Sequence, residues 1–322
     1  MNSERTEDNR RGRHAESPGK IPLKGWKNIL LRVKENLGKD HLSIISAGVA
    51  FYAMLAIFPG LTALVSLYGL VSDPMGVQDQ LAALRHLIPP EAYTILETQL
   101  RNIAEQPGGS LSFGFIGGLL ITLWSANKGV KTLMEALNIV YEEKESRGFI
   151  RKNLLSLFFT FLVISFIVLT LIAIVVAPAL LKFLPLPVST QKLFTYMQWP
   201  FLALMVILLL NFTYGYFPNR RRPKWRWVTS GSLFAGIFWI LASALFSFYV
   251  VNFGNYNKMY GSVGAVIVLM MWFYLSSFII LLGGELNSEV EHQTARDSTK
   301  WESRPMGERD AYVADHLGEA KE

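Results

Sequence analysis

The sequence contains no cysteine, and its five histidines are scattered along 322 residues. Without cysteine, disulfides, thiolate metal sites and cysteine nucleophiles are excluded. The histidines form no spaced metal-binding pair with one another or with a carboxylate. A Walker phosphate loop and a Gly-x-Ser-x-Gly nucleophile elbow are also missing. The sequence therefore predicts a protein that is not an enzyme and that needs no metal and no cofactor.

Charged residues are scarce and unevenly placed. They make up 17% of the chain, against about a quarter in ordinary globular proteins. Nearly all of them lie in the two chain ends and in a few loops. The net charge of +6 would suggest nucleic-acid binding in a soluble protein. Because the basic residues flank long apolar runs, membrane topology explains them better, and we expect no nucleic-acid partner.

Six apolar stretches are long enough to cross a hydrocarbon core of about 30 Å, which takes roughly 20 residues. The first begins near Leu42, is about twice as long as a signal-peptide core, and is followed by no small-residue cleavage site. We therefore expect it to remain as a spanning helix. The fold class is all-α, a polytopic bundle of six transmembrane helices. The six stretches are Leu42–Ser72, Leu111–Asn127, Leu154–Leu181, Leu193–Pro218, Trp227–Lys258 and Gly261–Gly284.

The orientation follows from lysine and arginine in the connections, which concentrate on the cytoplasmic side. The N-terminal 41 residues hold ten of them, the 128–153 loop six and the 219–226 loop five. The 73–110 and 182–192 loops hold two each, and the loop after the fifth stretch holds only Lys258. High and low counts alternate, so both chain ends are predicted to be cytoplasmic.

The connections divide the chain into three parts. Residues 1–40 form a basic cytoplasmic tail with an amphipathic helix suited to an anionic inner leaflet. Residues 41–290 form the transmembrane domain, with an extracytoplasmic helical hairpin at 77–106 joined by a proline turn. Residues 291–322 form a polar cytoplasmic tail. The polar composition of about 1–20 and 292–322 predicts that both ends are disordered.

The first stretch is too long for one straight crossing, since 31 residues of helix measure about 45 Å. Pro59 cannot donate a backbone hydrogen bond and crowds the carbonyl of Leu55, so we expect a kink or break at 55–60. An exposed carbonyl is costly in lipid, so the break should face the bundle interior. Small or polar side chains from the last two spans should face it, such as Ser243, Ser247 or Ser276.

Several spans carry faces of small residues, for which close helix packing is the simpler interpretation and a cavity lining the alternative. No Asp, Glu, Lys, Arg or His lies near the middle of any span, which argues against a proton-driven pump. Glu285 lies at the predicted cytoplasmic interface. It is either an ordinary boundary charge or the partner of a cation from the inner loop. The four candidate cations are Lys128, Lys131, Arg147 and Arg151.

The connection between the last two stretches is unusually polar, with Asn252, Asn255, Asn257 and Tyr260. A plain hairpin turn at Gly254-Asn255 accounts for it. Contact with a lipid head group or a solute is the alternative.

With this topology in place, several motifs resemble one family over about residues 25–290. They are Ala47-Gly48-Val49-Ala50-Phe51-Tyr52 with Ile57-Phe58-Pro59, Leu123-Trp124-Ser125-Ala126, Ala136-Leu137-Asn138-Ile139-Val140-Tyr141 with Arg147, Phe149 and Arg151, Phe217-Pro218-Asn219-Arg220-Arg221, Ala242-Ser243, Phe246-Ser247, Tyr249-Val250-Val251-Asn252-Phe253, Tyr260-Gly261-Ser262-Val263-Gly264-Ala265-Val266-Ile267 and Gly284-Glu285-Leu286-Asn287. Together they resemble the YihY/BrkB family of bacterial inner-membrane proteins.

The resemblance implies a six-helix, multi-pass protein of the bacterial inner membrane and no particular chemistry. Members have been labelled ribonuclease BN, and the family name points to serum resistance or virulence. A hydrolytic nuclease needs a metal cluster or an acid–base pair in water, and neither is visible in the sequence. The candidate functional or structural positions are Pro59, Trp124, Lys131, Arg147, Arg151, Asn252, Tyr260, Glu285 and Asn287.

Three functions remain open. The first is a transporter or an envelope-lipid-handling factor without enzymatic turnover, supported by charge-free spans with small-residue faces. The second is a scaffold that binds other envelope proteins through its tails and its outer hairpin, and the third is a ribonuclease. The expected partners are the lipid bilayer and, for the first function, a lipid or amphipathic ligand. The sequence sets no substrate, coupling ion or oligomeric state.

Overall fold

The computed structural model describes residues 8, 10–71, 108–171, 173, 187–253 and 263–321. Within these ranges all regular structure is helical, apart from one isolated bridge between Pro223 and Thr299. The all-α prediction is confirmed for this part of the chain. The α-helices are α1 (Leu23–Lys39), α2 (Leu42–Val71), α3 (Gly108–Val140), α4 (Phe149–Leu171), α5 (Val188–Tyr216), α6 (Trp225–Phe253), α7 (Val263–His292) and α8 (Tyr312–Asp315), and a 3-10 turn spans Pro18–Lys20.

Five of these helices contain a stretch that is long and apolar enough to cross a membrane. The protein is therefore a multi-pass membrane protein. The second predicted span lies within α3, which is not among the five, so the count of six and the orientation stay predictions. The hairpin at 77–106 and the hinge at 254–260 lie outside the described residues. The five stretches are Leu42–Gly60, Phe149–Thr170, Lys192–Tyr216, Trp225–Val250 and Val266–His292.

The chain divides into two compact units. The first consists of Met1–Ser46, Lys131–Ala244 and Leu275–Glu322, and the second of Ala47–Val130 and Leu245–Tyr274. One end of the first unit gathers α1, the last turns of α3, α5 and α7, the first turns of α4 and α6, and both chain ends. We call it the polar end. The topology prediction assigns it to the cytoplasm.

Two glycines set the spacing between α6 and α7 at the polar end. A Cβ on Gly231 would lie 2.1 Å from the carbonyl oxygen of Gly283. A Cβ on Gly283 would lie 2.5 Å from the hydroxyl of Tyr214, which donates a hydrogen bond to the carbonyl of Ile280 at 2.7 Å. The helices therefore approach at backbone distance, as small residues permit in membranes. Close packing, the simpler interpretation of the small-residue faces, applies at these glycines.

The described parts of the chain ends are folded onto the polar end, so the prediction that they are disordered is wrong for 10–20 and 292–321. The guanidinium of Arg13 donates to the carbonyl of Gly318 at 2.6 Å, and the hydroxyl of Thr294 donates to the carbonyl of Ala15 at 2.7 Å. Val313 in α8 is fully buried. A polar composition predicts disorder because it supplies little apolar burial. Here, backbone and arginine hydrogen bonds to the helices hold the ends instead.

The C-terminal segment also covers the arginine-rich loop between α5 and α6. The N–H of Lys224 donates to the carbonyl of Ser298 at 2.7 Å, and the N–H of Arg221 donates to the carbonyl of Asp310 at 2.8 Å. The loop and the tail therefore form a single layer at the polar end.

In the second unit, α2 continues as one helix through Pro59, so a break at 55–60 is wrong, and a kink there stays a prediction. The side chain facing this turn is Thr122 of α3 rather than a serine from the last two spans. A Cβ on Gly60 would lie 3.4 Å from the Thr122 methyl group, and the Thr122 hydroxyl lies 3.5 Å from the carbonyl oxygen of Ala56. Neighbouring helices and hydroxyl side chains let membrane helices tolerate an internal proline. The cavity argument placed serines of the last two spans at this turn, and Thr122 is the neighbour that the structure shows there.

Candidate functional site

Polar side chains on α1 and α7 repeat every four residues and face each other at the polar end. Residues four apart lie on one face of a helix. Arg32 donates through Nε to a carboxylate oxygen of Glu289 and through NH2 to Oε1 of Gln293 at 2.9 Å. Asn36 divides its two amide hydrogens between Oε1 of Glu285, at 3.0 Å, and Oε1 of Glu289, at 2.9 Å. We call Arg32, Asn36, Asp40, Glu285, Glu289 and Gln293 the α1–α7 network.

The charges in this network are not balanced. Glu289 has a cation in contact, since it forms a buried ion pair with Arg32. Glu285 is fully buried, and its Oε2 has no hydrogen-bond donor among the described residues. The half-buried carboxyl of Asp40, at the end of α1, faces Glu285. Burial raises the pKa of Asp40, the nearby charges of Glu142 and Glu289 add to the rise, and a hydrogen bond with Glu285 opposes it.

A second buried group joins the arginine-rich loop to α7, to the end of α3 and to the tail. Arg220 donates NH1 to Oε2 of Glu291 at 3.0 Å and NH2 to Oε1 at 2.7 Å, and both side chains are at most 1% exposed. The guanidinium carbon lies 4.2 Å from the ring centre of Tyr141, and Ser298 donates to Oε2 of Glu291 at 2.6 Å. We call Tyr141, Arg220, Glu291 and Ser298 the arginine clamp.

Electrostatics keep the clamp in one charge state. Burial lowers the pKa of Arg220, but the charge of Glu291 and its hydrogen bonds outweigh burial, so that the pKa is raised overall. For Tyr141, in contrast, burial itself raises the pKa of the hydroxyl. The arginine therefore stays charged and the tyrosine stays neutral at physiological pH. Each of these groups makes its contacts inside the protein, so the clamp acts as a fixed tie between four segments.

Of the residues that the sequence selects, Glu285 and Asn287 lie in this buried region. The side-chain oxygen of Asn287 accepts hydrogen bonds from the N–H of Gly231 at 2.6 Å and from the hydroxyl of Ser230 at 3.1 Å. Its amide donates to the carbonyl of Val228 at 2.9 Å. Asn287 therefore satisfies backbone groups in the first turns of α6, where the two helices approach most closely.

The predicted pairing of Glu285 with a cation of the inner loop is wrong, because Glu285 accepts from Asn36 instead. Lys131 donates to Oδ1 of Asn153 at 2.5 Å. Arg147 pairs with Glu145 at 2.7 Å and donates to the carbonyl of Phe217 at 2.7 Å. Lys131 lies in α3 and Arg147 in the α3–α4 connection, and each is held by its own neighbours.

The remaining selected residues lie elsewhere. Arg151 is exposed near the start of α4. Trp124 in α3 is 55% exposed, with the Lys128 ammonium 5.8 Å from the centre of its ring. Asn252 is exposed and donates to the carbonyl of Phe248 at 2.7 Å. Tyr260 lies outside the described residues, and Pro59 lies in the uninterrupted α2.

The sequence interpretation missed Arg32, Asn36, Asp40, Glu289 and the clamp. One signal was available. Asn28, Arg32 and Asn36 recur every four residues beside the buried Ile29 and Val33 of α1, so polar groups lie within its inward face. A polar stripe on such a face indicates a polar partner. The last span supplies that partner because α7 continues to His292, eight residues beyond the predicted boundary at Gly284.

The first unit is packed very differently away from the polar end. Its buried span side chains include Phe159 of α4, Leu210 of α5 and Ala235 of α6, all towards the polar end. Beyond them, no side chain that the structure describes is buried in 161–171 of α4, 192–209 of α5 or 237–244 of α6. We call these three ranges the apolar segments. Their exposed side chains include Phe161, Phe201, Leu204 and Leu241.

The described residues contain no group of three or more histidines and carboxylates placed to hold a metal ion. The carboxylates of the polar end are engaged otherwise, by Arg32, Asn36 and Arg220.

Comparison with known proteins gives consistent matches along most of the chain. The family model described as virulence factor BrkB matches residues 33–307. A protein of Bacillus subtilis named as ribonuclease-like, YfkH, is 34% identical over 248 residues, which cover 76% of this chain and 88% of that protein. A UPF0761 membrane protein of Chromohalobacter salexigens is 28% identical, covering 86% of this chain and 67% of that one.

A further UPF0761 membrane protein, from Azotobacter vinelandii, is 27% identical over 81% of this chain. The match spans 61% of that relative, which is therefore the longer protein. No solved structure matches the chain.

Proposed function

The chain belongs to the family described as virulence factor BrkB, and from this premise we propose that it is a bacterial membrane carrier or lipid-handling factor without enzymatic turnover. Its ligand is an apolar or amphipathic molecule such as an envelope lipid. The observation that carries this proposal is the contrast within the first unit between the densely packed polar end and the apolar segments.

The apolar segments offer apolar contact without internal packing. On α5, the exposed residues from 192 to 204 cover more than half of the helix circumference, and the described remainder is half-buried. A static bundle of spans would bury one face of each helix against its neighbours. Acyl chains can instead contact these side chains directly. Because the segments carry no acidic residue and no basic residue except Lys192, the ligand is held by apolar contact, and any charged head group must be held elsewhere.

The polar end supplies the closed side of such a carrier. The arginine clamp, the α1–α7 network and the Gly231–Gly283 contact tie α1, α6, α7, the end of α3, the arginine-rich loop and the C-terminal segment together. Buried ion pairs and hydrogen bonds of this kind favour one arrangement of the elements that they join. A ligand that reaches the apolar segments from the bilayer therefore meets a sealed barrier at the polar end.

The direct test measures lipid retained by the purified protein. After purification in mild detergent and extensive washing, bound lipid is extracted and quantified per mole of protein. Leu204→Gln places an amide in the α5 apolar segment and should lower the retained lipid severalfold. Leu157→Gln is the matched control, because Leu157 has nearly the same exposure, 52% against 54%, but lies on α4 beside the buried Ser156. Retention should stay at the wild-type level in this control.

Equal lipid loss in both variants, or no retained lipid in the wild type, would contradict the proposal. Co-purification of a stable protein partner in place of lipid would favour the scaffold.

The ribonuclease alternative rests on the printed name of the Bacillus subtilis relative. Hydrolysis of RNA needs an acid–base pair or metal ligands in contact with water and substrate. In the polar end of this chain, Glu285, Glu289 and Glu291 are buried and face other segments of the same chain. We therefore expect purified protein to leave a fluorogenic RNA substrate intact at the rate of the buffer control.

A further inference from the structure

Glu285 is a carboxyl group without a charge partner in a place where charge is costly. Its side chain is fully buried, one oxygen accepts from the neutral amide of Asn36, and the other has no donor among the described residues. Burying an ionised carboxylate without a cation is so unfavourable that the group takes up a proton instead. The burial of Glu285 and the lack of a cation beside it in the described part of the chain therefore favour the protonated, neutral carboxyl.

Asp40, which faces Glu285, gives a second reason for a proton at this place. The Asp40 carboxyl, at the junction between α1 and α2, lies against Glu285, close enough for a hydrogen bond if one of the two carries a proton. Two ionised carboxylates are both acceptors, so a hydrogen bond between them requires a proton on one of the two. Two carboxyls in contact cannot both ionise without a large repulsion.

We propose that Asp40 and Glu285 bind one proton between them and form a proton-binding site at the junction of α1, α2 and α7. The site lies at the end of the last span and not in the middle of any span, where the charge pattern predicts no proton relay. This proposal is independent of the proposed lipid-binding function.

The described groups around Asp40 and Glu285 leave the two carboxyls without a free counter-cation. On α7, Glu289 is neutralised by Arg32 of α1 and lies 3.7 Å from Nδ1 of His292. On α1, Lys39 is directed to the exposed Glu35 at 2.6 Å. The titratable or charged groups around the pair are Arg32 and Lys39 of α1, Tyr141 and Glu142 after α3, and Glu289 and His292 of α7. Lys39, the cation that acts on Asp40, is already paired with another carboxylate, so a proton supplies the missing charge.

The proton would also fix a hinge. The N–H of Asp40 donates to the carbonyl of Asn36 at 2.9 Å and ends α1. His41 follows with a φ of +50°, a left-handed conformation that a residue with a Cβ adopts only where surrounding contacts hold it. Loss of the proton would place two like charges between this hinge and α7. The last turn of α1 would then separate from the last span.

The first test counts protons. A group that keeps its proton when folded and loses it when unfolded makes stability fall as pH rises. The sign follows because the unfolded state binds fewer protons than the folded state between the unfolded and the folded pKa. Unfolding of the wild type at pH 7, measured in two buffers of different ionisation enthalpy, should release one proton more than unfolding of Glu285→Gln. The melting temperature of the wild type should fall between pH 5 and pH 8, and that of Glu285→Gln should fall less.

Two variants make the test specific. Glu16→Gln removes an exposed carboxyl whose pKa is lowered by a hydrogen bond from Lys20 and which is not among the groups around the pair, so it should leave the proton count between pH 5 and pH 8 unchanged. Asp40→Asn supplies an amide donor to Glu285 and removes the opposing charge, so the proton should leave at lower pH. This variant keeps the proposal testable if Glu285→Gln does not fold.

Three results would overturn the proposal. The first is an equal proton count in wild type and Glu285→Gln, and the second is a pH profile of Asp40→Asn that matches the wild type. The third is a wild-type melting temperature at pH 8 that rises when sodium replaces choline at constant ionic strength, since the site would then bind a metal cation.

Discussion

The arginine clamp predicts a large and specific loss of stability when Glu291 is neutralised. Glu291→Gln keeps the shape of the side chain but leaves the guanidinium of Arg220 buried without a counter-charge. The pair is at most 1% exposed and doubly hydrogen-bonded, at 2.7 and 3.0 Å. Removing one partner of such a pair costs about 3–5 kcal/mol. The hydrogen bond from Ser298 is lost or weakened as well, which costs about 1 kcal/mol more.

The double variant Arg220→Met with Glu291→Leu separates the two contributions. Replacing both partners by apolar residues of similar size is often neutral or stabilising, since the desolvation of two charges is then avoided. We therefore expect the double variant to recover most of the free energy of unfolding lost in Glu291→Gln. The hydroxyl of Ser298 is left without its acceptor and accounts for the remaining deficit.

The assay is equilibrium unfolding in mixed micelles, followed by tryptophan fluorescence, since Trp227 is fully buried at the polar end. Glu16→Gln is the control, because the Glu16–Lys20 ion pair is 54–65% exposed and solvent screens it. It should leave the unfolding curve unchanged. Equal effects of Glu291→Gln and Glu16→Gln would refute the claim that a buried ion pair ties the polar end together.

The other predictions concern packing, topology and Pro59. Gly231→Ala should cost about 1–3 kcal/mol of unfolding free energy through overpacking. Gly215→Ala is the control, because nothing lies within 4 Å of its added Cβ, and it should be neutral or gain up to about 1 kcal/mol. Equal unfolding midpoints of the two variants would contradict the contact between α6 and α7. Pro59→Ala should leave membrane insertion and lipid retention unchanged, because α2 is already uninterrupted there, and loss of retention alone would restore the kink argument. Reporter fusions test the topology, and an inside signal from a fusion at Gln106 would overturn the span assignment. Fusions at Gln106 and Tyr256 should report the outside, and those at Glu143, Asn219 and the C-terminus the inside.

Hydropathy was sufficient to locate the spans because each is a local property of about 20 residues. Five of the six predicted stretches lie in helices that can cross a membrane. It could not locate the end of the last span. Glu285, Glu289 and Glu291 look like residues of a solvated tail, yet α7 carries them, buried, to His292.

The candidate site was predicted only in part for the same reason. Glu285 and Asn287 were selected, but their partners lie far away in sequence. Asn36 is 249 residues from Glu285, and Arg220 is 71 residues from Glu291. Charge pattern alone cannot choose between such distant partners, and the pairing with the inner loop that it offered as one alternative for Glu285 is wrong. The polar stripe on α1 was the available clue, since a lone basic amphipathic helix needs no asparagine on its buried face.

The tail illustrates a different limit. Its low apolar content predicts disorder, but the fold uses carbonyl groups as partners for arginine. Arg13 and Arg309 each bond backbone carbonyls, of Gly318 and Ala295 respectively. Such contacts have no sequence signature, because every residue carries a carbonyl group.

The central claim is that the apolar segments bind a lipid or amphipathic ligand while the polar end stays closed. The most direct measurement is photo-crosslinking of a phospholipid with a reactive group on its acyl chain, with the labelled residues mapped by mass spectrometry. The account predicts labelling in 192–209 of α5 that saturates and is displaced by excess unlabelled lipid, with none at the buried Trp227, Val228 and Ala235 of α6. Labelling that grows in proportion to probe concentration and resists competition would contradict the claim, because it would reflect ordinary bilayer contact.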